Sequence, residues 1–222
     1  MAEKEVLLDV RHLQTSFFTQ AGEVKAVDDV SYHVNKGEIV AVVGESGCGK
    51  AVTQMSVMQL IQSPPGKIVG GEVIFDGKNI LEYDRFSQEM RDVRGGGIAM
   101  IFQEPMTSLN PVFTVGFQLS QVIMTHRKVD KKTAWAEGIK ALEKVGIPDP
   151  AARMNNYPFQ MSGGMRQRIV IAIALACAPE ILICDAPPTA LDVTIQAQII
   201  RLIKDLSKEY GFTTIYITHD LG

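Results

Sequence analysis

Along this chain, short apolar runs bounded by turn residues alternate with longer stretches whose apolar positions recur every three or four residues. Glu5 to Val10 and Ala26 to Val34 alternate or carry β-branched residues and predict strands, and Asn35-Lys36-Gly37 predicts a turn. Glu38 to Val43 is apolar after its first residue and runs directly into Gly44, the pattern of a parallel strand buried on both faces. Glu72 to Phe75, closed by Asp76-Gly77, predicts another strand, and Ile98 to Phe102 a further buried one.

From Pro105 to about Pro158 the periodicity turns helical. Trp135, Ile139, Leu142 and Val145 share one helical face with Trp135 as its core anchor, Gly146 is placed to cap that helix, and Pro148 stops it. Arg166 to Ala178 predicts a helix and Glu180 to Cys184 a buried strand. Asp192 is placed to cap a helix whose apolar face is Ile195, Ile199, Leu202, Ile203 and Leu206, with Gly211 just past its end and a last strand at Phe212 to Ile217. Strands alternating with helices imply an α/β fold: a mostly parallel sheet covered on both faces, with the helical stretch near residues 105–160 as an insertion.

The 222 residues fit one generous domain or one core with an inserted subdomain. A net charge of -3 gives no basic excess for nucleic-acid binding. The longest apolar run, Ile169 to Ala178, is half of the roughly 20 residues a membrane span needs. Met1-Ala2-Glu3-Lys4-Glu5 is charged and unlike a signal peptide, so the chain is expected to stay inside the cell and to serve a membrane only by docking to a partner. Cys48, Cys177 and Cys184 form no CxxC pair, which argues against disulfides or a zinc site. His12, His33 and His126 have no supporting pattern and are expected on the surface, as is the Lys128, Lys131 and Lys132 cluster at a helix start.

Candidate chemistry begins at Gly44-Glu45-Ser46-Gly47-Cys48-Gly49-Lys50, a P-loop pattern that follows a predicted buried strand and precedes a helix. Its glycines let backbone N–H groups turn inward on phosphate oxygens, the helix aims its positive end at the same anion, and Lys50 adds a full charge near the β- and γ-phosphates. Cys48 reads as a small residue tolerated in a tight loop. After Lys50 the pattern asks for Ser or Thr, whose hydroxyl ligates Mg²⁺; here Ala51 stands, followed by Val52, and a methyl group cannot coordinate a hard cation.

Three more segments follow in order: Met161-Ser162-Gly163-Gly164-Met165-Arg166-Gln167-Arg168 before a helix, Ile181-Leu182-Ile183-Cys184-Asp185 with Ala190-Leu191-Asp192 shortly after, and Thr218-His219-Asp220 closing the last strand. With Gln103 at the end of Ile98–Phe102, this set resembles the nucleotide-binding subunits of ABC transporters, from about Leu7 to the C-terminus. Gln103-Glu104-Pro105-Met106-Thr107-Ser108-Leu109-Asn110-Pro111 is similar to the ATP-binding subunits of importers for dipeptides, oligopeptides and nickel, of which peptide is the larger class.

The resemblance implies a P-loop NTPase of RecA-like type, one nucleotide-binding domain over 1–222. Residues 1–103 and 161–222 would form a catalytic core with an antiparallel β subdomain, and 104–160 a helical subdomain. ATP and Mg²⁺ are the implied ligands. Asp185 would hold the metal through a water, Gln103 would touch metal and γ-phosphate and report to the helical insertion, and His219 would contact the γ-phosphate. Ser162, Gly163 and Gly164 would bind the γ-phosphate held by a second ATP-binding subunit in a head-to-tail dimer, identical or different. Phe17 would stack on adenine, although Phe18 is adjacent and strand packing explains either residue. Transmembrane permease subunits, and indirectly an extracytoplasmic solute-binding protein, are the implied partners, at the cytoplasmic face of the membrane.

The sequence departs from the family at demanding places. Where the family reads Asp-Glu-Pro-Thr-Thr-Ala-Leu-Asp, this chain has Asp185-Ala186-Pro187-Pro188-Thr189-Ala190-Leu191-Asp192. Ala186 cannot polarise water as the family's Glu does, a loss of roughly 10²–10⁴ in rate, and Pro188 stiffens the loop. With Ala51 in the same site, hydrolysis there is expected to be slow or absent. Met161 replaces the signature's usual Leu, an apolar exchange. Family members continue past the position of Gly222, so C-terminal truncation and an exposed sheet edge are expected. The readings in competition are a hydrolysing importer subunit, a non-hydrolysing ATP-binding partner in a heterodimer, and a soluble ABC protein of DNA repair or translation.

Overall fold

A computed structural model describes residues 5–103, 108–185 and 193–218. The chain divides into two compact units, Met1–Arg94 with Phe212–Gly222, and Gly95–Gly211.

The first unit holds β1 (Val6–Thr19), β2 (Gly22–Asn35), β3 (Ile39–Val43), α1 (Lys50–Val57), β4 (Gly66–Phe75), β5 (Lys78–Asn79), α2 (Gln88–Asp92) and the late strand β8 (Thr213–Thr218). Four strands make an antiparallel sheet in the order β2-β1-β4-β5. β1 is far longer than the strand predicted to end at Val10, and the reason is a change of parity. Leu8 and Val10 point inward, then Leu13 and Thr15 do, because the register slips between Val10 and Leu13. At the slip His12 and Asp29 both take left-handed backbone, at φ 48° and 58°. The His12 Nδ1 to Asp29 Oδ1 contact at 2.7 Å and the His12 N–H donated to Ser31 Oγ at 2.8 Å hold the irregularity. On β4, Gly71 at φ 97° fits beneath it, where a Cβ would lie 2.5 to 2.7 Å from the backbone of Leu13, His12 and Arg11.

β3 pairs in parallel with β8, Ile39 opposite Thr214 through Val43 opposite Thr218. The expectation of a strand buried on both faces fails here: Ile39 is 49% and Val43 40% exposed. Among the described residues β3 is an edge strand, paired on one side only, so its apolar run is incompletely covered.

In the second unit β6 (Ile98–Ile101) and β7 (Ile181–Asp185) also pair in parallel, and both are buried as their apolar runs predict. Phe102, expected within β6, lies beyond its end and is 40% exposed. The described residues of the unit also include the helices α3 (Val115–Arg127), α4 (Lys131–Lys144), α5 (Pro150–Arg153), α6 (Gly163–Leu175) and α7 (Val193–Tyr210). α4 starts at Asp130, whose carboxylate accepts from Thr133 N–H at 2.9 Å, and ends before Gly146, left-handed at φ 72°. The predicted face holds at Leu142 and Val145, both buried, but in the first turns Ala134 and Gly138 are buried while Trp135 and Ile139 are only half-buried, a rotation by one position there. Small residues explain the rotation. A Cβ on Gly138 would stand 2.7 Å from Met154 Cε, and one on Gly116 would stand 2.7 Å from the Trp135 ring, which lies on the flank rather than in the core. On α7 the expected face buries Ile199, Ile203 and Leu206 and half-buries Ile195 and Leu202, and Gly211 is left-handed just past its end. Asp192, the expected cap, lies outside the described residues. Among the described residues no helix is long and apolar enough to cross a membrane.

Gly71→Ala is expected to lower stability by about 2 kcal/mol or more, since a left-handed non-glycine residue adds strain to the clash; a urea midpoint equal to that of the parent chain would contradict the bulge geometry. Hydrogen bonds from Thr133 hold the Asp130 carboxyl below the usual carboxylate range. The cap therefore stabilises fully above about pH 4, the unfolded value, and is lost as pH falls through the depressed folded value. Amide exchange at Thr133 should rise only in that acid range, and Asp130→Ala should abolish the pH dependence.

Candidate functional site

The loop between β3 and α1 is shaped by two left-handed glycines, Gly47 at φ 81° and Gly49 at φ 95°. No other residue fits at Gly49, because a Cβ there would lie 2.3 Å from the Ala26 carbonyl oxygen. Lys50 folds back over the loop and its ammonium donates to the Gly44 carbonyl at 2.7 Å and the Glu45 carbonyl at 2.6 Å, with Cys48 Sγ 3.6 Å away. The turn is therefore closed by the cation that would face the ligand. α1 begins with no side-chain cap and no acidic residue in its first turn, so its positive end is neutralised by nothing on α1 itself. Glu45, Ser46, Gly47 and Cys48 are exposed. A lysine, a helix N-terminus and glycine amides at one solvent-facing turn form an anion site, fitted by its backbone to a polyphosphate.

α1 is held from behind by polar contacts that the sequence reading missed. Its buried residues include Thr53, Gln54 and Ser56. Thr15 Oγ1 and Ser56 Oγ share a buried hydrogen bond of 2.8 Å, Ser56 Oγ donates to the Val52 carbonyl at 2.7 Å, and the Tyr32 hydroxyl donates to Gln54 Oε1 at 3.1 Å. Burial drives the Tyr32 phenol far above its usual range, while its bond to Gln54 pulls the other way, so it stays a neutral donor. The available signal was the row of polar residues at 53, 54 and 56 where an amphipathic helix would turn an apolar stripe inward.

The first turn of α1 offers Mg²⁺ no side-chain oxygen. Ala51 presents a methyl group, and the next hydroxyl, Thr53 Oγ1, donates to the Gly49 carbonyl at 2.9 Å. The loop thus fits a phosphate but lacks a hydroxyl at the position directly after Lys50. The residues expected to contact a metal, Gln103 and Asp185, lie in the second unit, where the pairing of Ile101 with Cys184 sets the C-terminal ends of β6 and β7 side by side. Gln103, exposed, and Asp185, half-buried, both leave the sheet at that end. Ser162 caps α6, its Oγ accepting from Met165 N–H at 3.3 Å, with Gly163 and Gly164 in the first turn and Met161 buried behind them. Phe17 shares the first unit with the loop and is half-buried, its ring across Gly66, while Phe18 is 50% exposed. His219, Ala186 and Pro188 lie outside the described residues.

Lys50→Met removes a charge-assisted contact to an anion, worth about 1.5–3 kcal/mol, and should weaken ATP binding by about 10- to 100-fold. Calorimetry showing unchanged affinity would contradict the placement of the lysine at the phosphates.

A family model described as ABC transporter matches residues 27–189. The oligopeptide transport ATP-binding protein OppD of Bacillus subtilis is 52% identical over 97% of this chain and 60% of its own length. The dipeptide transport ATP-binding protein DppD of the same organism is 51% identical over 98% and 64%. The chain thus spans less than two thirds of the length of either relative. Among solved structures, the ATP-binding cassette MJ0796, a dimer in a post-hydrolysis state bound to ADP and Pi, aligns with a TM-score of 0.82 at 27% identity, covering 96% of this chain and 88% of that one. CbiO1 of Clostridium perfringens, part of the ABC transporter complex cbiONQ, aligns with a TM-score of 0.78 at 25% identity, covering 98% and 80%. With a P-loop closed by its own lysine and most of its length inside the family match, the chain belongs to the ABC transporter family.

Proposed function

We propose that this chain is the ATP-binding subunit of an importer for dipeptides or oligopeptides, working at the cytoplasmic face of the membrane. The observation that carries the proposal is the clip formed by Lys50 with the Gly44 and Glu45 carbonyls at the uncapped start of α1. The names of the relatives, oligopeptide and dipeptide transport ATP-binding proteins, support the substrate class.

In this reading, backbone amides from Gly47 to Val52 and the Lys50 ammonium hold the triphosphate, and Phe17 faces the adenine. Gln103 and Asp185 supply the oxygen donors toward Mg²⁺, which when bound offsets phosphate charge, and His219 sits at the γ-phosphate. Ser162, Gly163 and Gly164 present the N-terminus of α6 to nucleotide held by a second ATP-binding subunit. Permease subunits would dock on exposed aromatic surface of the second unit. There Phe113 stacks on Phe117 at 4.7 Å and Tyr157 on Phe159 at 5.5 Å. The two segments are joined by Val115 N–H donating to the Asn156 carbonyl at 2.9 Å and Gly116 N–H to the Met154 carbonyl at 2.8 Å.

A second reading is favoured by Ala51 and Ala186: the chain holds ATP without turning it over and lends its Ser162-Gly163-Gly164 to a competent partner. The phosphate cradle survives both alanines, whereas metal and water activation do not.

In a single-turnover assay the chain should bind ATP and release phosphate slowly or not at all. Ala51→Ser combined with Ala186→Glu should raise the rate by about 10²–10⁴-fold; ordinary turnover by the parent chain would sink the claim of impairment. Phe113→Ser with Phe159→Ser should leave ATP affinity intact and abolish co-purification with permease subunits; retained co-purification would remove this surface as the docking face.

A further inference from the structure

The outer edge of β4 is open where a cavity of about 410 Å³ lies against it. β4 pairs with β1 along most of its length, from Leu8 opposite Phe75 to Phe17 opposite Gly66. On the other side β5 pairs only with Ile74 and Phe75. The stretch from Gly66 to Gly71 therefore has sheet hydrogen bonding on one side alone, with the Gly66 N–H turned to the Gln62 carbonyl at 3.0 Å, and this stretch forms one wall of the cavity. Ile61 and Leu81 supply apolar surface to the lining, and Lys67 and Arg85 supply cations.

Proteins normally cover or blunt such an edge, since a row of unpaired backbone groups is a template for another strand. Here the edge is glycine-rich, with Gly66, Gly70 and Gly71, so a second backbone meets few side chains on approach. Neither Lys67 nor Arg85 is in an ion pair with a carboxylate among the described residues. Nearby acids are engaged in their own turn: Glu82 accepts from Asn79 Nδ2 at 3.1 Å and Asp84 from Phe86 N–H at 2.8 Å. Arg94, outside the lining, donates to the Met58, Arg85 and Gln59 carbonyls at 2.8 to 3.0 Å and so ties the backbone of Gln59 and Arg85 together.

We propose that this open edge of β4 binds an extended acidic peptide segment by strand addition, with its backbone pairing along Lys67–Gly71 and its carboxylates meeting Lys67 and Arg85. Main-chain hydrogen bonds supply affinity in this mode, and alternate side chains supply selectivity. The site is separate from the phosphate loop and needs no nucleotide.

The test uses a fluorescein-labelled, C-terminally amidated hexapeptide of alternating Val and Glu, followed by fluorescence anisotropy on the full chain. Saturable binding is expected, weakened about tenfold or more by full N-methylation of the peptide, which keeps its charge and removes its N–H donors. Lys67→Glu with Arg85→Glu should weaken binding by a similar factor, with ATP affinity unchanged as the control for folding. Equal binding of the N-methylated peptide would reduce the effect to charge attraction and overturn strand addition. Equal binding to the charge-reversed chain would put the peptide elsewhere. Absence of saturable binding, or self-association of the chain that the peptide does not reverse, would also overturn the proposal, the last by giving the edge to a second copy.

Discussion

The Lys50 ammonium, held 2.7 and 2.6 Å from the Gly44 and Glu45 carbonyls, closes the loop on which every functional reading of this chain depends. The contact fixes a flexible side chain, and it works only because the backbone between its ends follows a left-handed path at Gly47 and Gly49. The three donors of the ammonium meet the two carbonyls and Cys48 Sγ, and the longest of these contacts, 3.6 Å to sulfur, is the weakest to exchange for an anion. The loop is thus organised before an anion arrives, which reduces the ordering cost of binding.

That loop stands on a helix anchored by buried hydrogen bonds as well as by apolar packing. α1 has eight residues, too few to be stable alone, and it buries Ser56 against Thr15 on β1 and Gln54 against Tyr32 on β2. Buried polar contacts are directional, so they fix the rotation of the helix and hence the aim of its N-terminal amides. The antiparallel sheet therefore bears on phosphate binding although none of its strands enters the loop.

Much of the fold and of the anion site was legible because both rest on local rules. Gly49 and Lys50 were readable from their spacing, and β6, β7 and the α7 face from their apolar patterns. Legibility ended where distant elements meet. The length of β1 was hidden by a parity change at His12, the partial exposure of β3 by its edge position, and the rotation of α4 by glycines that let Met154 and Trp135 close in. Tyr32 and Gln54 went unread because their pairing joins residues 22 positions apart. Ala51 was readable at once, and the structure adds that the next hydroxyl along α1, Thr53 Oγ1, donates to the Gly49 carbonyl.

The central claim is that backbone amides beside Lys50 hold a polyphosphate without help from a metal ligand on α1. The most direct test is a ¹H–¹⁵N spectrum of the chain titrated with ATP in chelator, then with Mg²⁺ added. The account predicts saturating shifts at the amides of Gly47, Gly49, Lys50 and Ala51 already in chelator, with little further change on adding metal. Amides that stay unmoved until Mg²⁺ is present, or that never move, would contradict it.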